Sequence, residues 1–135
     1  MALLRWSKKY SVDVKALDLE HAAFLRCLNR LHAAMIQGQG IGVAKRFLHR
    51  LPAGVRDHFA AEELLMKSTN YPDLAEHRSR HEEFTRQLNE LATLMERGER
   101  GLSILLLTFM REWIANHIQQ DDKAYAPWLN EHGVQ

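Results

Sequence analysis

Apolar residues recur at steps of three and four along four stretches of this chain, and glycine, asparagine or proline interrupts the rhythm between them. Such spacing lays one apolar stripe along a helix, and no alternating pattern of the kind a strand shows competes with it. The first stripe, over residues 19–37, carries His21, Leu25, Leu28, His32 and Met35; it is expected to open at Asp18 as N-cap and to close at Gly38 and Gly40. The second, over 43–67, carries Phe47, Leu51, Val55, His58, Glu62 and Leu65 and stops near Asn70. After Tyr71, Pro72 and Asp73 the third, over 74–97, turns His77, His81, Phe84, Leu88, Leu91 and Met95 inward, until Gly98 and Gly101 end it. The fourth, over 102–120, aligns Leu102, Leu106, Met110, Trp113 and His117, and a short helical tail follows.

Helices of about 20 residues joined by short turns pack best as antiparallel neighbours. The expected fold is therefore all-α, an antiparallel up-down-up-down four-helix bundle with residues 1–16 as an N-terminal arm and a short C-terminal helix. No repeat, low-complexity stretch or linker divides residues 1–135, so a single domain is expected. Pro52, with Gly54 close behind it, is the one local conflict. An interior proline removes a backbone hydrogen bond at about 3 kcal/mol, which predicts a kink or break there.

Composition narrows the function. The 135 residues carry 18 basic and 17 acidic side chains, a net charge of +1, without the basic patch that grips phosphate backbones, so nucleic acid is not an expected partner. No apolar run is longer than that of residues 104–107, far short of the roughly 20 residues a spanning helix needs, so no membrane insertion is expected. Cys27 is the lone cysteine, and the first ten residues hold no apolar stretch of signal-peptide length; both point to a reducing, cytoplasmic location. The anomaly is histidine: eight are scattered along the chain rather than gathered in a tract.

Five of them share a geometry. Residues four apart on a helix lie within about 40° of each other, so the pairs His58 with Glu62 and His77 with His81 each aim at one target from a core stripe. Imidazoles and a carboxylate are costly to bury unpaired, and metal ligation satisfies their lone pairs and neutralises the charge. His21 and His117 lie on the inner stripes of the first and fourth helices. A single histidine on an apolar face is more often a hydrogen-bonded core residue; five reaching one height is a different matter. In an antiparallel bundle His21 comes early in its helix, His58 late, His77 and His81 early, and His117 late, which brings all of them to one level. His32 lies about 16 Å farther along its helix than His21 and cannot join them. His49 and His132 also fall outside. An acidic partner for His117 is open between two residues: Asp121 is four residues on and nearer the same α-helical face, whereas Asp122 is five on, about 140° away, and reaches that face only if the helix widens by a π-type turn or unwinds.

The segments DLEH (18–21), HFAAEELLM (58–66), YPDLAEHRSRH (71–81) and WIANHIQQDDKAY (113–125) resemble the ligand-bearing motifs of the hemerythrin family, most closely its single-domain bacterial members, and span nearly the whole chain. The resemblance implies two iron ions joined by an oxo or hydroxo bridge, with His77, His81 and His117 on one, His21 and His58 on the other, and Glu62 and Asp122 bridging them. The family's HxxxxD spacing selects Asp122 over Asp121. Glu20 stands where bacterial relatives often carry glutamine. With three bridging ligands on each iron, three histidines complete six-coordination at one metal and two leave a position free at the other. Dioxygen is the ligand that the resemblance implies there. It also assigns Phe59, Trp113, Ile114 and Ile118 to the apolar oxygen pocket, although each equally suits plain core packing, and makes Tyr125 a hydrogen-bond donor to a ligand. Met66 reads as core.

The expected activity is thus reversible oxygen binding by a carrier, store or local supplier, and not an enzyme. A sensor that signals through a partner is the alternative, with an oxygen-consuming or signalling protein as the partner in either case; the chain carries no output domain of its own. A di-iron oxidase or peroxidase is less favoured. Its ferritin-like ExxH signature is absent, since no glutamate here is followed three residues later by histidine. A metal-free bundle would leave seven inward polar groups uncompensated.

Overall fold

The computed structural model describes residues 3–98 and 101–135, so the first two residues of the expected arm lie outside it. The helices are α1 (Lys15–Ile36), α2 (Gly40–Ser68), α3 (Leu74–Glu96) and α4 (Leu102–Trp113); a π-helical segment (Ile114–Asp122) then leads into α5 (Lys123–Glu131). Neighbours in sequence pack against each other and α4 closes the bundle against α1, as the up-down-up-down arrangement requires. Among the described residues there is no strand, and no helix is long and apolar enough to cross a membrane.

Burial follows the stripes read from the sequence. Leu25, Leu28 and Leu31 of α1 meet Leu48, Leu51 and Val55 of α2, Phe84 and Leu88 of α3, and Leu106 and Met110 of α4 in one large apolar cluster. Leu28 is fully buried at its centre. Leu28→Ala should cost about 2–5 kcal/mol of unfolding free energy in urea titration, the loss of burial plus the cavity left behind. A second apolar cluster at the opposite end gathers Val12, Val14 and Leu17 with Met66, Tyr125 and Leu129. Met66 is core, as expected.

The helix boundaries depart from expectation at three places. Asp18 does not cap α1, which begins three residues earlier at Lys15 with Val14 at the N-cap. Burial of Val12, Val14 and Leu17 draws the chain into the bundle sooner. The Asp18 carboxylate instead accepts hydrogen bonds from the Val12 amide at 2.8 Å and the Ser11 hydroxyl at 2.6 Å, fastening the arm to the first turn. The arm, which includes a 3₁₀ turn at Lys8–Tyr10, is also tied to α5: Lys123 donates to the Lys8 carbonyl and Asn130 to that of Asp13. Second, the break expected at Pro52 does not occur, and α2 runs through it as one helix. Leu48, Leu51 and Val55 are buried on either side, and their packing holds the two halves in line despite the missing hydrogen bond. Third, α2 starts at Gly40 rather than near residue 43. A Cβ there would lie 2.6 Å from the Met35 side chain and 3.2 Å from Ser103, so glycine lets the α1–α2 turn seat against α4.

Candidate metal centre

Between the two apolar clusters lies a polar layer. On α1 His21 falls between Leu17 and Phe24, and on α2 Glu62 falls between Phe59 and Met66, each pair of neighbours belonging to opposite clusters. All seven residues expected at the site, His21, His58, Glu62, His77, His81, His117 and Asp122, are in this layer, and none is more than 5% exposed. The structure brings all of them together. His32 and His49 lie outside, and His132 is exposed, stacked on Trp128.

The donor atoms fall into two sets, one of His77, His81 and His117, the other of His21 and His58, and both include Glu62 and Asp122. Within each set they lie no more than 4.8 Å apart. The carboxylates divide their oxygens between the sets. Glu62 turns Oε1 to His58 and to His21, 3.7 Å away, and Oε2 to His77 at 3.4 Å and His81 at 3.9 Å. Asp122 turns Oδ2 to His21 at 3.1 Å and Oδ1 to His77 and His117, each at 3.0 Å. His21 and His58 face each other through their Nε2 atoms at 3.1 Å, as do His81 and His117.

These are distances between atoms that converge on a common point. Both oxygens of Glu62, both of Asp122 and Nε2 of His77 are buried, within reach of their neighbours yet not aligned for a hydrogen bond with any of them. Orphaned buried polar atoms of this kind are rare. Two donors that each sit about 2.1 Å from a shared ion, at right angles, are themselves about 3.0 Å apart, close to the spacings of Asp122. The donor set therefore fits metal ions, and its five imidazoles and two carboxylates suit first-row transition metals.

Asp122 reaches the site because the chain leaves the α-helical pitch at Ile114–Asp122, where the hydrogen bonds run π-fashion. One extra residue per turn carries Asp122 onto the face of His117. Asp121 then points outward: it takes a hydrogen bond from Arg80 at 3.0 Å and lies 3.4 Å from Nδ1 of His117. The choice between the two aspartates thus resolves into two places, one inside the layer and one behind a histidine.

Without an ion, electrostatics hold the layer together. Burial works against a charge on His21, but the adjacent Asp122 and Glu62 carboxylates outweigh it and hold the imidazole at about 9. Burial likewise opposes charge on His117, whereas Asp122 and Asp121 raise it to about 10. Burial pushes His81 down to about 4. For Asp122, burial and the Glu62 charge push upward, but His117 and His21 win and leave it at about 2. Glu62 is held well below the usual range by His58 and His21 against the opposing pull of burial. His21 and His117 are therefore protonated at neutral pH and must lose those protons to ligate. Loading the metal-free protein with a divalent ion at pH 7 should release about two protons per chain from His21 and His117 and a further fraction from His77, which the same carboxylates raise, measured by indicator dye in weak buffer, and the release should fade as pH rises through 9 to 10.

Three carboxylates stand behind the histidines, and two of them, Glu20 and Glu63, had no assigned part in the site. Glu20 is hydrogen-bonded to Nδ1 of His58, Glu63 accepts from Nδ1 of His81 at 2.9 Å, and Asp121 approaches that of His117. Such partners fix ring orientation so that Nε2 faces inward. Their signal was adjacency, since each neighbours a candidate ligand or its bridge. Glu63 is itself held by Arg78.

Aromatic rings roof the layer. Phe59 stacks on His81 at 3.7 Å between centroids and Trp113 lies parallel to His117 at 5.5 Å, while Ile114 and Ile118 are buried in the adjoining cluster. Phe24, which the sequence analysis passed over, sits edge-on to both His58 and Trp113, at 5.3 and 4.9 Å. Its position three residues after His21 on the same stripe was the available clue. On the opposite side the Tyr125 hydroxyl is buried near Glu62 without a well-formed hydrogen bond, and burial, then the charges of Glu62 and Asp122, keep it well above its ordinary range.

Fold and site together define a class, helical bundles whose buried histidines and carboxylates are laid out to hold metal ions. The family model described as the hemerythrin HHE cation binding domain matches residues 12–129. The chain belongs to the hemerythrin family, whose members bind iron without haem and are generally oxygen binders rather than enzymes. It is 33% identical to the bacteriohemerythrin of Stenotrophomonas maltophilia over 132 residues, 98% of this chain and 85% of that one. With the bacteriohemerythrin of Methylococcus capsulatus it shares 30% identity over 131 residues, covering 96% and 99% of the two chains. A crystal structure of wild-type hemerythrin matches with a TM-score of 0.83 at 29% identity, over 95% of this chain and 98% of that one.

Proposed function

We propose that this chain, a single domain acting in the cytoplasm, binds dioxygen reversibly at a pair of iron ions and serves as an oxygen carrier, store or local supplier. The observation that carries this reading is the unequal division of donors: three histidines in one set, two in the other, with Glu62 and Asp122 common to both. On this reading His77, His81 and His117 hold one ion, His21 and His58 the other, and the carboxylates bridge. Iron held there would supply two-electron exchange with dioxygen, with His21 and His58 the less fully ligated set.

The chain's own residues do the rest. Glu20, Glu63 and Asp121 orient the imidazoles and raise their basicity. Phe24, Phe59, Trp113, Ile114 and Ile118 form the dry wall that keeps water and reductants from the ligand, the condition for release rather than turnover. Tyr125 stands by Glu62 as the hydroxyl able to donate to that carboxylate. Nitrogen-rich ligation with a closed apolar roof favours binding over oxidase chemistry, and the family is generally not enzymatic.

The test is optical. Reduced, iron-loaded protein should develop a charge-transfer band on admission of oxygen and lose it under vacuum, through repeated cycles, and His58→Ala should not bind the full iron complement. Steady oxygen consumption with an added reductant would instead identify an oxidase. Loss of the band without recovery would also defeat the proposal.

A further inference from the structure

Between α1 and α2 runs a half-open cavity of about 520 Å³ that packing leaves unfilled. The side chains that would fill it are small. Ala23 and Cys27 face it from α1 and Gly54 from α2, and a Cβ added at Gly54 would meet nothing within 4 Å. Gly54 weakens the helix that carries it, so the open space is retained against helix propensity. Phe24, Phe47 and Leu51 make the walls apolar.

The two ends of the cavity differ in charge. The helices are antiparallel, so Glu20 of α1 meets Asp57 and His58 of α2 at the inner end, and Arg30 meets Arg46 and Arg50 at the outer one. All three arginines are exposed. The arginines that form ion pairs among the described residues are Arg78, Arg80 and Arg86, on α3; those at the cavity are not among them. Arg30 instead lies over the Phe47 ring at 6.0 Å. From Arg50 to His58 is about 12 Å along the helix. An apolar trough with arginines at one end and acids at the other fits an elongated chain with an anionic head, and the acids dictate which way round it lies.

We propose that this cavity binds an amphipathic monocarboxylate of the fatty-acid type, with its head on Arg30, Arg46 and Arg50 and its chain along Phe24, Phe47 and Leu51 toward His58. Such an occupant covers the edge of His58 and Glu20 that faces the cavity. The inference does not depend on oxygen binding, and its test reads ligand heat, so either proposal can fail alone.

Iron-loaded full-length protein is titrated calorimetrically with decanoate, decanol and decyltrimethylammonium. One decanoate should bind per chain, with decanol and the cation weaker by about ten-fold or more, the worth of a charge-assisted contact to arginine. The surface double variant Arg46→Glu with Arg50→Glu should weaken decanoate by a similar factor. Gly54→Leu, which places a side chain in the trough, should abolish it while helicity and metal content stay unchanged. Absence of decanoate binding, decanol binding as tightly as decanoate, or unchanged affinity in the double variant would overturn the proposal. So would sedimentation of the protein with phosphatidylglycerol vesicles undiminished by decanoate, which would assign the arginines to a membrane surface instead.

Discussion

Stripping the metal from this protein should lower its melting temperature by about 10–20 °C, read by scanning calorimetry before and after chelation. The site holds five imidazoles and two carboxylates in a layer closed to water, with both oxygens of Glu62 and Asp122 lacking aligned donors. Protons on His21 and His117 offset part of that in the metal-free state, but two of the five histidines cannot serve four carboxylate oxygens in good geometry. An ion that binds the folded chain alone adds RT ln(1 + [L]/Kd), about 4 kcal/mol when free metal stands at a thousand times Kd. For a chain of this length each kcal/mol is worth roughly 3–5 °C. The difference should shrink at acid pH, where the metal-free fold also weakens. Asp122, held at about 2 in the fold, contributes stability above its unfolded value near 3.8 that disappears as pH falls through 2, while metal is already displaced by protons on the imidazoles. An unchanged melting temperature after verified metal removal would mean that the layer is self-sufficient, and the metal reading would lose its energetic basis.

Most of this architecture was legible in the sequence because helical periodicity fixes two things at once, the face a residue occupies and its height along the axis. His21, His58, His77, His81 and His117 could be placed at one level by counting, and the structure puts them there. What the count could not supply came from tertiary packing. Pro52 reads locally as a break, yet buried Leu51 and Val55 carry the helix past it. Asp18 reads as a cap, yet burial of Val14 and Leu17 starts the helix earlier and leaves its carboxylate to pin the arm. Glu20 and Glu63 had no part in the site by counting, and Asp121 stood only as the alternative to Asp122. Whether such a side chain turns to water or folds back onto an imidazole depends on the neighbouring helix, and for Asp121 on Arg80 of α3, which no local pattern shows. The extra residue of the π segment left a trace in the stripe. His117 and Asp122 are both buried and both face the site although they are five residues apart, about 140° of rotation in a pure α-helix.

That segment carries the second large effect. Asp122→Ala should lose the metal centre, with less than half the normal iron retained on purification, whereas Asp121→Ala should keep the ions but bind them about 10–100-fold more weakly, as removal of an orienting partner typically does. The difference follows from position. Asp122 is fully buried and offers one oxygen to His77 and His117 and the other to His21, so its removal opens both donor sets and takes away the charge that pairs with His21 and His117. Asp121 is partly exposed, stands 3.4 Å behind His117 and is already shared with Arg80; without it the ring loses a guide and keeps its inward nitrogen. Metal content by elemental analysis separates the two, and Asp122→Asn sharpens the comparison because it preserves shape while removing the charge that two cations would need. The opposite ranking, with Asp121→Ala emptied of metal and Asp122→Ala full, would mean that the chain keeps an ordinary α-helical pitch after His117 and that the wider turn at Ile114–Asp122 does not set the site.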